Sequence, residues 1–367
     1  MTRYDALLVV SFGGPEGPSD VLPFLRNVTR GKGIPAHRLT EVAEHYLRFG
    51  GVSPINAQNR TLVAAVATEL ARRGLPLPVY WGNRNWAPLL PDTLRQMAAD
   101  GVRRALVLLT SAYASYSGCR QYREDLAAAR AEVGPTAPEL DRVRQYYNHP
   151  GFLGPQVAAT LAALQRLPPD RRGDAELVFV THSLPLSLAD SSGPAGGAYV
   201  AQHREVCRLV AAGVAERDGR TRRFDLVYCS RSGPPAQAWL EPDVNDHLAA
   251  RAAEGARAVV LVPIGFLSDH MEVRFDLDVA AAGTARELGL AVARAATVGA
   301  DPVFVAGVGD LVQERWAEVA PAERAAVGVL GPAPDHCPPG CCPNPRGARP
   351  AVGEADRPPS PTVVAAP

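Results

Sequence analysis

The sequence predicts an α/β protein built as two similar halves, each a doubly wound sheet of four parallel strands. Three observations predict it. Short β-branched, apolar runs recur along the 367 residues, and Ala/Leu/Arg stretches of helical period separate them. The eight runs also divide into two groups of four around NHPGFLGP, a Pro/Gly-rich connection at 148–155. Strands that are continuously apolar, rather than alternating, are buried on both faces, as helices on either side of a parallel sheet require. In the first half the strands fall at 6–12, 78–82, 105–109 and 142–146; in the second at 176–181, 224–229, 258–263 and 291–295. Helical spacing is clearest over 56–73, 121–133, 155–167, 199–216 and 242–254. The first half then occupies 1–150 and the second 151–300, with a helix near 301–330 that returns to complete the first. From Gly331 onward Pro, Ala and Gly take over. Residues 331–343 form a cysteine-rich segment, and 344–367, without hydrophobic period, read as a disordered tail.

Charge narrows the partners. Lys+Arg and Asp+Glu both number 38, so no bulk charge recruits nucleic acid or an anionic membrane. No run approaches the roughly 20 apolar residues of a spanning helix. The apolar run within MTRYDALLVVSF reads as a buried first strand and not as a leader. A soluble, cytoplasmic chain is expected.

In a reducing compartment clustered cysteines are metal ligands or redox groups more often than disulfides. Of the six cysteines, three stand in HCPPGCCPNP at 336–345. Cys207 lies in a helical stretch and Cys229 ends an apolar strand, so both read as buried structural thiols. Cys119, Cys337, Cys341 and Cys342 remain, enough for a zinc site or a two-iron cluster. Neighbouring side chains should diverge, so the pair Cys341-Cys342 suits two irons better than one zinc. His336 is an alternative ligand, and the residues alone leave the metal open.

Ligands of open α/β sheets bind beyond the carboxyl ends of the strands. LVFVTHSLP (177–185) puts His182 at such an end, where an imidazole can take a proton or meet a metal near neutral pH. VPIGFLSDHMEVRFDLD (262–278) follows another strand. Its Asp269, Glu272 and Asp276, spaced three and four apart, would form one acidic line on a helix, a path for a divalent cation or for protons. LLVVSFGGPEG (7–17) has glycines after its strand but not the spacing of a dinucleotide loop; a tight turn approaching a flat ligand fits better. HYLRFGGVSPINAQN (45–59) contributes Tyr46, Arg48, Phe49 and Ser53, and SAYASYSGCRQYRED (111–125) adds three tyrosines, two arginines and Cys119. Together they describe an aromatic cleft with anion-binding arginines, suited to a large, flat, carboxylated ligand.

SFGGPEGPSDVLPFL, RFGGVSPINAQN, VTHSLP, YCSRSGPP and PIGFLSDHMEVRFD, in this order, resemble the ferrochelatase family over residues 4–320. The resemblance implies two Rossmann-like halves with a porphyrin between them and ferrous iron as the inserted metal. It matches His182 and Glu272 to the family's pair on the metal-insertion side, which would handle Fe(II) and the pyrrole protons. It matches Ser53 and Tyr122 to porphyrin contacts and Arg30 to a basic position near the propionates. Phe12 stands where some relatives carry an iron-ligating tyrosine; it would touch the ring without ligating. Ala280 replaces a carboxylate that some relatives carry, leaving Asp276 as the last matching acid of the line. The chain is most similar to the actinobacterial branch, which implies coproporphyrin III as substrate and a [2Fe–2S] cluster on Cys119, Cys337, Cys341 and Cys342. It further implies a monomer that meets neighbouring haem-pathway enzymes transiently. The competing readings are a protoporphyrin IX ferrochelatase, a cobalt chelatase of the same fold, and a non-catalytic tetrapyrrole carrier with an Fe–S sensor.

Overall fold

The run ALLVVS forms β1 (Ala6–Ser11), and all six of its residues are buried. Each such Leu or Val contributes about 1.5–3 kcal/mol on burial, which is why the chain places the run at the centre of a sheet. The computed structural model describes residues 4–31, 33–233 and 236–353. After β1 come α1 (Pro18–Val28), α2 (Ala36–Leu47) and α3 (Ile55–Arg72), then β2 (Val79–Asn83), α4 (Leu90–Ala99), β3 (Arg104–Leu109), α5 (Gln121–Val133) and β4 (Glu139–Arg142). α6 (Pro150–Arg166) leads to the second half: β5 (Glu176–His182), α7 (Leu186–Asp190), α8 (Ala198–Asp218), β6 (Phe224–Cys229), α9 (Val244–Ala253) and β7 (Ala258–Val262). A π-helix (Glu272–Ala281) runs into α10 (Ala282–Glu287), β8 (Ala291–Arg294) and α11 (Pro302–Trp316).

The sheets are β2-β1-β3-β4 and β6-β5-β7-β8, and every pairing in both is parallel. The expected pair of four-stranded α/β halves is therefore present, with one strand order used twice. Alternate residues of β1 serve separate cores. Leu7 and Val9 join a core that crosses both halves and includes Phe152, Phe179, Val260 and Phe304. Ala6, Leu8 and Val10 face the core under α4 and α5. The outer face of the second sheet has its own core around Val180, Leu248 and Val259.

One strand is displaced. The run RVRQY at 142–146 suggests the fourth strand, whereas β4 is Glu139–Arg142. It is an edge strand whose polar residues are satisfied laterally: Asp141 accepts from Tyr4 at 2.9 Å and pairs with Arg315 at 2.7 Å. α11 packs on α3 and α6. The buried Arg144–Glu314 pair, at 2.7 and 2.9 Å, ties it to the segment after β4. Within the tail, 344–353 lies against α5: Asn344 donates to Glu124, Arg120 to the Arg349 carbonyl and Arg123 to the Val352 carbonyl. The rest of the expected disordered segment, 354–367, lies outside the described residues. Among the described residues no helix is long and apolar enough to cross a membrane.

Candidate active site

β5 carries His182 to its carboxyl end beside Cys229, its ladder partner on β6. Behind it, the Tyr199 hydroxyl donates to the His182 carbonyl at 2.8 Å and shares a 2.9 Å hydrogen bond with Thr181 Oγ1, which also meets His203 Nε2 at 2.9 Å. Gly265, after β7, passes so close that a Cβ there would fall 2.0 Å from Thr181 Oγ1. His182 Nδ1–H donates to the Ser183 carbonyl, which leaves Nε2 facing Glu272 Oε1 at 3.5 Å.

Glu272 opens the π-helix, a rare conformation that tends to appear at functional sites. Its second oxygen lies 3.8 Å from His270 Nδ1, so the carboxylate sits between two imidazoles. Burial would favour neutral His182, but the charge and hydrogen bond of Glu272 outweigh it and push the imidazole up to about 9. Burial likewise works against ionised Glu272, and His182 more than compensates, holding it at about 2. At neutral pH the resting pair is thus imidazolium and carboxylate, not the neutral imidazole a lone histidine would give. Both side chains remain open to water, 32 % and 44 % exposed, so the attraction is screened and protons exchange with solvent.

The acidic line is shorter than its spacing suggests. Asp269 precedes the helix and is taken up by Arg294 at 3.1 Å and Thr297 Oγ1 at 3.0 Å. Asp276 stays in line with Glu272; burial pushes it up to about 6 despite a hydrogen bond from Ser230 Oγ. Ser230 follows β6 with a left-handed φ of 63°, a conformation that costs a non-glycine residue about 1–3 kcal/mol.

The first half supplies the facing wall. Phe24 packs edge-on against Phe12 at 6.2 Å and Tyr46 at 5.9 Å between ring centroids. Burial chiefly, and the charges of Glu272 and Asp276 with it, raise the Tyr46 hydroxyl, so this ring faces the acidic line. Arg84 lies over the rings of Tyr122, at 4.4 Å, and Phe12, at 5.8 Å, and pairs with Asp125. Ser53 is buried against Gly14, where a Cβ would approach its own Cβ to 2.7 Å. Phe12 and Tyr46 thus share one wall through Phe24; Arg84 joins Phe12 to Tyr122, which is buried in the core under α4 and α5, and Ser53 packs beneath Gly14, whereas Arg30 is exposed in the turn after α1. Across the opening His45 stacks on Phe275 at 3.6 Å. His270, Ser230, Arg84 and Phe24 were not singled out by the sequence reading. The position of Ser230 just after a strand, inside YCSRSGPP, was the available signal for one of them.

A second site lies apart from this cleft. Cys119, Cys337, Cys341 and Cys342 are buried and line a cavity of about 240 Å³ together with Arg142 and Gln202. The adjacent side chains do not diverge: Cys342 adopts a left-handed φ of 51°, and its sulfur lies 3.8 Å from that of Cys341. Arg142 Nη2 donates to Cys337 Sγ and the Gly193 N–H to Cys342 Sγ, both at 3.0 Å. His336 is not a lining residue; it pairs with Asp141 at 3.2 Å. Cys207 and Cys229 are buried in the apolar cores. Among the described residues no three His, Cys, Asp or Glu side chains are gathered so as to hold a single metal ion.

The ferrochelatase family model matches residues 4–316. A coproporphyrin III ferrochelatase of Streptomyces coelicolor is 58 % identical, covering 97 % of both chains. A coproporphyrin III ferrochelatase of Nocardia farcinica is 52 % identical over 92 % of this chain and 96 % of its own. Among solved structures, SirB from Bacillus subtilis with Fe3+ superposes with a TM-score of 0.49 at 10 % identity, covering 88 % of this chain and 99 % of that one. By sequence over nearly its whole folded length, the chain belongs to the ferrochelatase family.

Proposed function

We propose that this enzyme inserts ferrous iron into coproporphyrin III, forming Fe-coproporphyrin III in haem biosynthesis. The observation that carries the reading is the His182–Glu272 pair, 3.5 Å apart, opposite an aromatic wall. The curated relatives support the choice of porphyrin. In this reading Phe12, Tyr46, Ser53 and Tyr122 contact the macrocycle and Arg30 meets a propionate. Fe²⁺ and the pyrrole protons must exchange places, and the resting pair already holds one proton. As the cation reaches Glu272 it cancels the charge that keeps His182 protonated, and the imidazole releases its proton along Asp276 to solvent. Neutral His182 then accepts one pyrrole proton, passes it to solvent by the same route, and accepts the second as iron enters, so that two protons leave for each Fe²⁺.

Cys119, Cys337, Cys341 and Cys342 fit a [2Fe–2S] cluster. Four buried sulfurs line one cavity, two of them accept N–H groups, and Arg142, which lines the same cavity, keeps a buried Nε without a partner. When bound, the cluster supplies a one-electron centre and a staple between α5 and the C-terminal segment. The same reading makes the protein a cytoplasmic monomer that meets neighbouring pathway enzymes transiently; all six cysteines are free, as a reducing compartment keeps them.

The test is an anaerobic Fe²⁺-insertion assay with coproporphyrin III and protoporphyrin IX side by side. Faster turnover of coproporphyrin III is expected. Turnover confined to protoporphyrin IX sinks the substrate assignment, and tight binding of both without insertion points to a carrier.

A further inference from the structure

Two four-residue edge strands end on arginines at the same place in their sheets. Arg142 ends β4 opposite Val107, and Arg294 ends β8 opposite Leu261. The second-half arginine is fully compensated: Asp269 and Asp278 both accept from its guanidinium, and Thr297 steadies Asp269. Among the described residues no carboxylate accepts a hydrogen bond from its first-half counterpart, although the charge of Asp335, already paired with Arg315 and Arg324, reaches it. Arg142 Nη2 donates to Cys337 Sγ at 3.0 Å and to the Pro334 carbonyl at 3.2 Å, while its Nε is buried with no partner. Arg123, outside the cavity lining and 1 % exposed, gives its Nε to the Val352 carbonyl at 2.6 Å, and both of its terminal nitrogens are buried and unpartnered. The electrostatic influence of Arg123 reaches Cys119, Cys337 and Cys342.

Burying a guanidinium without an anion is costly, and a buried charge that loses its partner is strongly destabilising. Two such groups against four cysteines need negative charge there. Neutral thiols do not supply it; thiolates bound to a metal cluster do.

We propose that Arg142 and Arg123 are the buried counter-charge of the cysteine site and hold up the reduction potential of the cluster it binds. The inference rests on the [2Fe–2S] reading above. A one-electron reduction adds a negative charge to a group already anionic. Nearby buried cations and N–H···S bonds stabilise the reduced form over the oxidised one, so the potential rises. Arg142 acts through both charge and hydrogen bond, Arg123 through charge.

The experiment is an anaerobic titration of the full-length, cluster-loaded protein with dithionite, followed by visible absorption and EPR, with iron and sulfide quantified in each sample. Arg142→Gln and Arg123→Gln should each lower the midpoint. At fixed solution potential the reduced-to-oxidised ratio should fall about ten-fold for Arg142→Gln, equivalent to 59 mV for one electron, and less for Arg123→Gln. Arg142→Lys, which keeps the charge, should retain most of the wild-type value. Should Arg142→Gln fail to assemble a cluster, Arg142→Lys and Arg123→Gln decide the matter. Full clusters with unchanged midpoints in the glutamine variants overturn the counter-charge role and leave the cluster standing. A wild-type protein without iron and sulfide overturns the cluster itself, and this inference with it.

Discussion

The two halves repeat one strand order, yet the loops at their strand ends do opposite work. Beyond β1 the chain gives Phe12, Gly13 and Gly14, an apolar ring followed by residues that let Ser53 pack against the backbone. At the matching end of β5 it gives His182, and beyond β7 it winds a π-helix that begins with Glu272. The first half forms a wall and the second holds titratable groups. On the proposed function, a repeated scaffold would fix where the ligand lies, while the residues after each strand would divide binding and proton transfer between the halves.

The sharpest way to break that division is His182→Ala. Iron insertion should fall about 10²–10⁴-fold, with coproporphyrin III binding, read by fluorescence quenching, unchanged. Near-normal insertion would remove the second half's claim to the chemistry. Glu272→Gln comes next, with a loss of about 10²-fold expected. Its clearer signature is His182 itself, whose imidazole should titrate well below about 9 by NMR in the metal-free protein once its partner is uncharged. The linkage follows in sign. His182, raised from 6.5, stabilises the fold fully below pH 6.5 and loses that contribution as pH rises through about 9. Glu272, lowered from 4.5, contributes above pH 4.5 and loses its share as pH falls through about 2. Between those limits the variant should lag wild type in melting temperature, and the gap should close outside them.

A smaller change tests whether the halves differ in how they hold charge. Arg294→Met removes the guanidinium shared by Asp269 and Asp278, leaving Asp269 the Thr297 hydroxyl and Asp278 only Arg274 at 3.6 Å, and should cost about 3 kcal/mol of stability in urea. A loss below 1 kcal/mol would mean these carboxylates are solvated and the contrast with Arg142 is overstated. Smallest is Ser230. Ser230→Ala loses the hydrogen bond to Asp276, worth about 1 kcal/mol, and keeps the left-handed backbone. Ser230→Gly also loses the hydroxyl but relieves the backbone, and it should melt above the alanine variant. The reverse order would show that the φ of this residue carries no strain.

Much of this was legible. Seven of the eight strands sit within two residues of the runs that marked them: β1, β3, β5 and β7 because central parallel strands must be apolar on both faces, and the partly buried edge strands β2, β6 and β8 because they stay rich in apolar residues. The fourth hid because ELDR is an edge strand whose charges are met by Tyr4, Arg104 and Arg315, and periodicity does not record lateral ion pairs. His182 and Glu272 could be picked out from their places after strands. The reach of the acidic line could not, since Asp269 has the right spacing but precedes the helix and faces Arg294. Arg84 escaped because its meaning lies in two rings far from it in sequence, Phe12 and Tyr122. The convergence of Cys341 and Cys342 depends on one left-handed residue that no composition rule assigns to cysteine.

The cysteine site draws on Cys119 from the start of the chain's second hundred, on the Gly193 amide from the second half, and on Cys337 to Cys342 near the end. Synthesis proceeds from the N-terminus, and domains fold as they emerge. Both sheets are therefore complete before the last thiols leave the ribosome, and the site is the final part to close. A chain cut before Cys337 would keep both sheets but lose the segment that covers Cys119, Arg123 and Arg142.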